Sequence, residues 1–253
     1  MKHLTPACKS SATSCALCRQ QRPLQYSHII PEFQYKPLYD AKHRIHIVSS
    51  DPAKPDRTIR KGIREYLLCL DCEQRFSKWE SYSSRVLFGD AAKLVRRSGK
   101  RVFLQGIDYP KFKLFLMSLL WRMGVASGPI WKEVDLGPHE EKLRLALLSG
   151  DPLTANDYSC LLIGVLVDGK FDLGWFLPPQ GSRANGHRIY RVIINGVAFV
   201  FFVSGHHHPL NLGRIAINEK NEMTLAVEEA RNMPFVTEAL CSLGIAIRTR
   251  DRA

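Results

Sequence analysis

The sequence has no long apolar run, no internal repeat and no low-complexity tract. Because a membrane-spanning helix needs roughly 20 apolar residues, we expect no membrane insertion. The first residues, 1–8, contain no apolar stretch of the signal-peptide type. The chain also lacks a P-loop, a dinucleotide-binding glycine pattern and a serine-nucleophile elbow. These absences predict a cytoplasmic protein and argue against the common nucleotide-binding and serine-hydrolase classes.

Acidic residues are scarce in one half of the chain only. The 253 residues carry a formal net charge of +12. Residues 1–90 hold 15 Lys and Arg against 9 Asp and Glu, residues 91–125 hold 8 against 1, and residues 126–253 hold 13 against 14. The whole positive excess therefore lies in the first half. This predicts a polyanion-binding surface there and another role for the second half.

Cysteines are few, and four of the seven form two C-x-x-C pairs: Cys15, Cys18, Cys69 and Cys72. Two intervening residues allow both thiolates of a pair to reach one tetrahedral ion, and two pairs fill its four positions. We therefore predict a structural Zn²⁺ bound by these four side chains, with a sizeable insertion between the pairs. Four free buried thiols are the alternative.

The other three cysteines have no partner at this spacing. An odd total argues against a disulfide framework. We interpret Cys160 and Cys241 as small buried hydrophobic residues and Cys8 as part of a loose N-terminal tail.

A second pattern lies beside the cysteine pairs. In the run Ser27-His28-Ile29-Ile30-Pro31, His28 stands ten residues after Cys18. Leu68 precedes the second pair, which Glu73 follows directly. This arrangement over roughly residues 15–85 resembles the HNH (ββα-metal) endonuclease family, and more closely a set of poorly characterised bacterial proteins with an HNH-like zinc module.

The resemblance implies roles for particular residues. His28 stands at the position of the family's general base, which activates water against a phosphodiester. Glu73 would hold a catalytic Mg²⁺ or Mn²⁺, with Glu80 seven residues on as a second candidate ligand. The resemblance also implies genome defence against phage as a setting.

This chain departs from the family pattern at three positions. Ser27 stands where a metal-binding Asp or His is usual, Glu73 replaces a His or Asn, and Arg64 or Glu65 occupies about the place of the middle Asn. A carboxylate is a suitable ligand for a hard divalent ion, so the second change is chemically permissible. In the alternative interpretation, His28 is an orienting core histidine and Glu73 is a carboxylate at a helix N-terminus.

Basic residues around the motif are candidate phosphate contacts, which position a nucleic acid without reading its sequence. They are Arg19, Arg22, Arg60, Lys61, Arg64, Arg75 and Lys78. Two other histidine groups, His43 with His46 and the run His206–His208, are weaker metal candidates.

Hydrophobic periodicity predicts the remaining architecture. Apolar residues at i, i+3, i+4 and i+7 predict a mostly buried helix over Tyr109–Met123. Later segments predict a helix over Pro138–Leu148, a strand over Cys160–Val167 and a final helix over Phe235–Leu243. Two β-rich runs flank Asn195-Gly196, which is typical of a hairpin with a type I′ turn.

We therefore predict an α+β protein in three parts. Residues 1–90 form a zinc-binding module of the treble-clef or ββα-metal type, residues 91–128 a basic helical connector packed on the core, and residues 129–253 an α+β module with an antiparallel sheet. The preferred function is metal-dependent cleavage of nucleic acid, DNA before RNA. The alternatives are a zinc-stabilised adaptor that binds nucleic acid or protein without cutting, and a second half that dominates through a dimer or partner surface at its hairpin edge.

Overall fold

The structure is a computed structural model that describes residues 14–47, 57–171, 174, 176–184, 186–204 and 212–242. The helices are α1 (Glu32–Tyr35), α2 (Leu70–Phe88), α3 (Tyr109–Val125), α4 (His139–Ser149) and α5 (Pro234–Ser242). The strands are β1 (Leu24–His28), β2 (Arg44–Ile47), β3 (Arg57–Arg60), β4 (Arg64–Cys69), β5 (Lys93–Ser98), β6 (Arg101–Gln105), β7 (Cys160–Val167), β8 (Lys170–Phe171), β9 (Phe176–Ala184), β10 (His187–Ile194), β11 (Val197–Val203) and β12 (Glu222–Glu229). This mixture confirms the predicted α+β class.

The N-terminal unit is a two-stranded ribbon followed directly by a helix. β1 and β4 pair antiparallel, and α2 begins at the residue after β4. The β2–β3 hairpin and α1 form the insertion between the two strands. Phe76, Trp79 and Val86 are buried on one side of α2, at the three- and four-residue spacings of an amphipathic helix.

α3 is the central helix, as its periodicity predicts. Asp108 caps it by accepting a hydrogen bond from the Lys111 backbone N–H at 3.1 Å, and Pro110 lies in the first turn. Leu119 and Trp121 are fully buried. The helix contacts α2 on one side and α4 on another, and its core is continuous with that of the ribbon.

The large sheet has the strand order β5-β6-β12-β7-β11-β10-β9, with β8 added beside β7. Its neighbours are antiparallel except β12 and β7, which are parallel. On one face, Leu162 and Phe199 join the core around α3. On the other, Val165 and Ile193 form a second cluster with Val236 of α5. The predicted antiparallel-rich sheet is therefore confirmed.

The helical character predicted for residues 91–128 is wrong for its first part. Residues 93–98 and 101–105 are strands β5 and β6, which form one edge of the sheet. β5 is exposed along its whole length and rich in Lys and Arg, a composition that protects a sheet edge from pairing with other chains. Strands β9 and β12 also went unpredicted. Pro178 and Pro179 in β9 are tolerated because that strand is the opposite edge.

The Asn-Gly turn joins the two halves of the molecule. Asn195 and Gly196 have φ values of 53° and 68°, so the predicted left-handed turn between β10 and β11 is confirmed. Asn195 is fully buried. Its side-chain amide donates hydrogen bonds to the backbone carbonyl of Gln34 in α1 and, at 3.2 Å, to the Gln34 side-chain oxygen.

Some predictions lie outside the described residues, namely those on Cys8 and on His206–His208, and the His46 side chain is not described either. Across the part of the chain that the structure describes, no helix combines the length and apolarity that a bilayer crossing requires.

Two substitutions of Asn195 should separate its backbone role from its side-chain role. Asn195→Gly keeps the positive φ but removes the amide that satisfies the Gln34 carbonyl, and should lower the unfolding free energy by about 1–3 kcal/mol. Asn195→Ala should cost about 1–2 kcal/mol more, because a β-carbon disfavours the left-handed conformation. Urea unfolding followed by tryptophan fluorescence measures both. Equal losses of unfolding free energy in the two variants would show that the positive φ at position 195 does not determine stability.

Candidate functional site

The first cysteine pair lies in a tight turn. The Cys15 N–H donates to the Gln20 carbonyl at 3.0 Å, and the Arg19 N–H donates to the Cys15 carbonyl at 2.8 Å. Arg19 adopts a φ of 59° to close this turn. The Ala16 N–H donates to the Leu67 carbonyl at 3.0 Å. The turn is therefore attached to β4, close to the second pair.

The second pair lies where β4 becomes α2. Cys69 precedes the helix and Cys72 lies in its first turn, where unpaired backbone N–H groups and the helix dipole favour negative sulfur. The Cys69 backbone N–H donates to the Cys15 sulfur at 3.3 Å. The strand-to-helix junction thus orients sulfurs of both pairs toward one point.

The four sulfurs form a cluster that could hold a structural metal ion. All four lie within 4.8 Å of one another, and the Sγ atoms of Cys18 and Cys69 are 3.8 Å apart. A tetrahedral ion with metal–sulfur bonds of about 2.3 Å separates its sulfurs by about 3.8 Å. Burial raises the pKa of the Cys15 and Cys72 thiols. A cation at the centre would supply the charge that keeps these buried sulfurs deprotonated.

His28 ends β1 and is partly buried. Its Nε2 lies 2.8 Å from the Lys61 carbonyl oxygen. Because a carbonyl only accepts, Nε2 must carry the proton, which leaves Nδ1 as an acceptor in the neutral ring. Burial lowers the His28 pKa and outweighs the Lys61 carbonyl, which acts in the opposite direction. The imidazole is therefore neutral near pH 7.

The carbonyl that holds His28 belongs to an unusual turn. Lys61 and Gly62 have φ values of 61° and 68°. A β-carbon at Gly62 would come within 2.4 Å of the buried Tyr35 ring. Only glycine fits this position without displacing that ring, so the turn that orients His28 depends on it.

Glu73 contacts the strand position that precedes His28. The Ser27 hydroxyl, which is buried, donates to Glu73 Oε2 at 2.7 Å. Glu73 is partly buried in the first turn of α2. The structure therefore brings together the two motif positions, 27 and 73, that the family resemblance assigns to metal binding.

Glu80 is paired with Arg122. Their side chains approach to 2.7 Å, with 2% of the Arg122 side chain and 23% of the Glu80 side chain exposed. Arg122 also donates to the His28 carbonyl oxygen at 3.0 Å. Glu80 therefore neutralises the buried cation of α3 that supports the backbone of His28.

Glu65, near the place of the motif's middle Asn, has a structural contact. Its carboxylate accepts hydrogen bonds from the Ser127 N–H at 2.8 Å, the Ser127 hydroxyl at 2.7 Å and the Gly128 N–H at 3.0 Å. It fastens β4 to the segment that follows α3.

Three of the seven candidate phosphate contacts already have hydrogen-bonding or charged protein partners, and Arg64 lies over the Tyr26 ring. Arg19 pairs with Glu141 at 2.5 Å, Arg22 pairs with Asp71, and Arg75 donates to the Leu148 carbonyl at 2.8 Å. The others are Arg60, Lys61, Arg64 and Lys78. Arg64 lies directly opposite His28 in the β1–β4 ladder, and Arg60, Lys61 and Lys78 are exposed.

Sequence reasoning missed two tyrosines on the ribbon. Tyr26 and Tyr66 are cross-strand neighbours, 50% and 66% exposed, with ring centroids 5.0 Å apart. Tyr26 stands two residues before His28, so strand alternation could have indicated it. The pairing with Tyr66 depends on a register shift between Gln25 and Tyr26, which no local pattern indicates.

The remaining candidates add no second metal site. His43 is exposed in a turn, with its ring 5.7 Å from that of Tyr39. Within the described ranges, the four cysteines are the one group of three or more potential ligands close enough to share an ion.

Removing one sulfur should abolish metal binding. Cys72→Ala should reduce the metal content from one ion per chain to none and lower the thermal unfolding temperature, because a tetrahedral site with three thiolates binds far more weakly. Cys160→Ala is the matched control, since Cys160 is buried outside the cluster, and it should retain the metal. Elemental mass spectrometry of both variants tests this. Full metal content in Cys72→Ala would contradict the site.

Known proteins give no further guide to these residues. Comparison of the chain with protein-family models, with curated proteins and with solved structures finds no match. The function must therefore be inferred from the geometry of the residues themselves.

Proposed function

We propose that this chain is a metal-dependent endonuclease of the HNH type, hydrolysing phosphodiester bonds in nucleic acid, with DNA as the expected substrate. The observation that carries the proposal is the placement of a neutral, partly exposed His28 directly after Ser27, which contacts Glu73 at the start of α2. The candidate base and the carboxylate are thus attached at adjacent positions of one ββα unit, with the His28 side chain and the Ser27–Glu73 pair on opposite faces of β1.

His28 would act as the general base. The Lys61 carbonyl fixes the ring through Nε2, so the free Nδ1 lone pair is available to accept a proton from water. An imidazole suits this role because it is neutral at physiological pH and becomes a good acid once protonated. The Arg122 guanidinium also donates a hydrogen bond to the His28 backbone carbonyl oxygen, which holds the backbone of the base in place.

Two metal ions would have separate functions. Zn²⁺ fits the four-cysteine cluster, because thiolates at tetrahedral spacing are its preferred structural ligands. Glu73, with the Ser27 hydroxyl beside it, would hold Mg²⁺ or Mn²⁺, for which oxygen ligands are suited. When bound, that ion would supply Lewis-acid stabilisation of the charge that develops on the phosphate.

Cations beside His28 would position the backbone of the nucleic acid. Arg64 faces His28 across the ladder, and Lys61 adjoins it through its carbonyl. Arg60 extends this basic group along β3. Such contacts hold phosphate without selecting a base sequence.

A specific observation favours a second candidate, a zinc-stabilised adaptor that binds nucleic acid without cutting it. Ser27 replaces a usual metal ligand, and Glu80 is already neutralised by Arg122. Asp71 in the same turn of α2 is paired with Arg22, and Glu73 accepts a hydrogen bond from the Ser27 hydroxyl. The adaptor would keep the basic surface and lack hydrolysis.

Replacing the base should stop cleavage without unfolding the protein. His28→Gln should slow nicking of supercoiled plasmid in Mn²⁺ or Mg²⁺ by about 10²–10⁴-fold, with unchanged zinc content and unfolding temperature. Because burial lowers the His28 pKa, the wild-type rate should fall only at pH values below the ordinary histidine pKa of about 6.5. DNA binding without nicking by the wild type in either ion would favour the adaptor.

The two glutamates on α2 should respond differently to the same substitution. Glu73→Gln should abolish ion-dependent cleavage with little loss of stability. Glu80→Gln should leave Arg122 buried without a counter-charge. Its cost should be about 2 kcal/mol, less than for a fully buried pair because Glu80 is partly exposed.

Plasmid nicking and urea unfolding of both variants make this comparison. If Glu80→Gln abolishes cleavage at full stability, then Glu80 belongs to the ion site. If Glu73→Gln cleaves normally, the proposed ligand is wrong.

A further inference from the structure

The outward face of the β1–β4 ribbon presents aromatic and basic side chains in one line, which we call the tyrosine ladder: Tyr26, Tyr66, Arg64 and His28. Alternate residues of a strand share a face, and directly paired residues of neighbouring strands share it too. The register pairs Tyr26 with Tyr66 and His28 with Arg64. Ser27 points to the other face, where it is buried against Glu73.

The two tyrosine rings of the tyrosine ladder lie side by side, tilted by 36°, and are open to solvent. The Arg64 guanidinium lies 4.6 Å from the centroid of the Tyr26 ring, and the Tyr66 ring lies 5.0 Å from it on the neighbouring strand. Half of Tyr26 and two-thirds of Tyr66 are exposed. Cross-strand packing explains why the tyrosines adjoin, but it does not require this much exposed aromatic surface.

Basic side chains border the tyrosine ladder, and the carboxylates of Glu32 and Glu80 lie near its His28 end, where both act on the imidazole. Arg64 belongs to the tyrosine ladder, and Arg60 and Lys61 are exposed at the adjoining end of β3. Glu65 lies between Arg64 and Tyr66 in β4, so its side chain is on the other face of the ribbon. There its carboxylate accepts hydrogen bonds from Ser127 and Gly128. Exposed rings bordered by cations are complementary to a ligand with flat apolar groups on an anionic backbone.

We propose that the tyrosine ladder binds single-stranded nucleic acid, with bases stacked on Tyr26 and Tyr66 and the backbone held by Arg64 and Lys61. Stacking on aromatic side chains requires unpaired bases, whose faces are free. A duplex hides those faces between its base pairs. The chemistry is common to single-stranded DNA and RNA.

The inference rests on the proposed action of this module on nucleic acid and specifies its substrate. His28 lies on the same face of β1 as Tyr26, two residues away. A nucleic-acid strand whose bases stack on the two tyrosines would continue past Arg64 toward the His28 imidazole. The substrate class is therefore a single strand, or a duplex that is locally opened.

Binding of labelled oligonucleotides to the full chain tests the tyrosine ladder. Fluorescence anisotropy without added divalent ion would compare oligothymidine and oligouridine of about 12 nucleotides with a duplex of equal length. We expect tighter binding of the single strands. Tyr66→Leu and Tyr26→Leu should each weaken it at least about fivefold, and Arg64→Gln should reduce the slope of log affinity against log salt by about 0.7.

Two control variants show whether the aromatic face itself is responsible. Tyr66→Phe keeps the ring and should bind as the wild type does. Phe171→Leu removes a ring of similar exposure, 54%, on β8 of the large sheet, and should have no effect. Unfolding temperature and zinc content identify any variant that fails to fold.

The outcomes separate this inference from the proposed hydrolysis. If Tyr66→Leu binds single strands as tightly as the wild type, or if the duplex binds better, the tyrosine ladder is wrong even where His28→Gln stops cleavage. If Tyr66→Leu weakens single-strand binding while no ion supports cleavage, hydrolysis is wrong and the tyrosine ladder stands.

Discussion

The convergence of four sulfurs is the constraint on which the N-terminal unit depends. The pairs are separated by 50 residues of chain, and their closure brings the Cys15–Cys18 turn against the junction of β4 and α2. A cross-link between distant residues removes conformational freedom from the unfolded chain. The β1–β4 ribbon places Leu67 and Leu68 in the core, while Tyr26 and Tyr66 face solvent. A bound ion would therefore add to the stability that this ribbon obtains from packing.

A buried arginine connects the ribbon to the rest of the core. Arg122 of α3 binds Glu80 of α2 and the carbonyl of His28 in β1, so one guanidinium joins three elements. Burying a charge is costly unless it is both paired and hydrogen-bonded, and both conditions are met here. The position of the candidate base is thereby coupled to the central helix, not only to the cysteine cluster.

Local patterns predicted the elements whose side chains repeat at a fixed spacing. The helix around Leu119, the strand that begins at Cys160 and the turn at Asn195 all follow from spacing or from one residue's conformational preference. The edge strands could not be predicted in this way. β5 carries charge along both faces, and β9 contains Pro178 and Pro179. Their pairing is decided by long-range contacts that no local window contains.

The candidate site was predictable in composition but not in its connections. Cysteine spacing indicated the cluster, and family resemblance indicated His28 and Glu73. Neither could indicate that Glu80 would meet an arginine 42 positions later in the chain, because that contact depends on how α2 and α3 pack. The same reasoning applies to Tyr66, whose partner is set by the register of a ribbon closed across a long insertion.

The two faces of the β1–β4 ribbon carry side chains with different roles. Ser27 and Glu65 face inward, where hydrogen bonds to Glu73, Ser127 and Gly128 satisfy them. The exposed Tyr26 and Tyr66 face outward, and the partly buried His28 lies on the same face. A buried polar network holds a ribbon rigid only if its members are satisfied, and this one is. Rigidity on the inner face therefore preorganises the outer face for a nucleic acid, whether the protein cleaves that nucleic acid or only binds it.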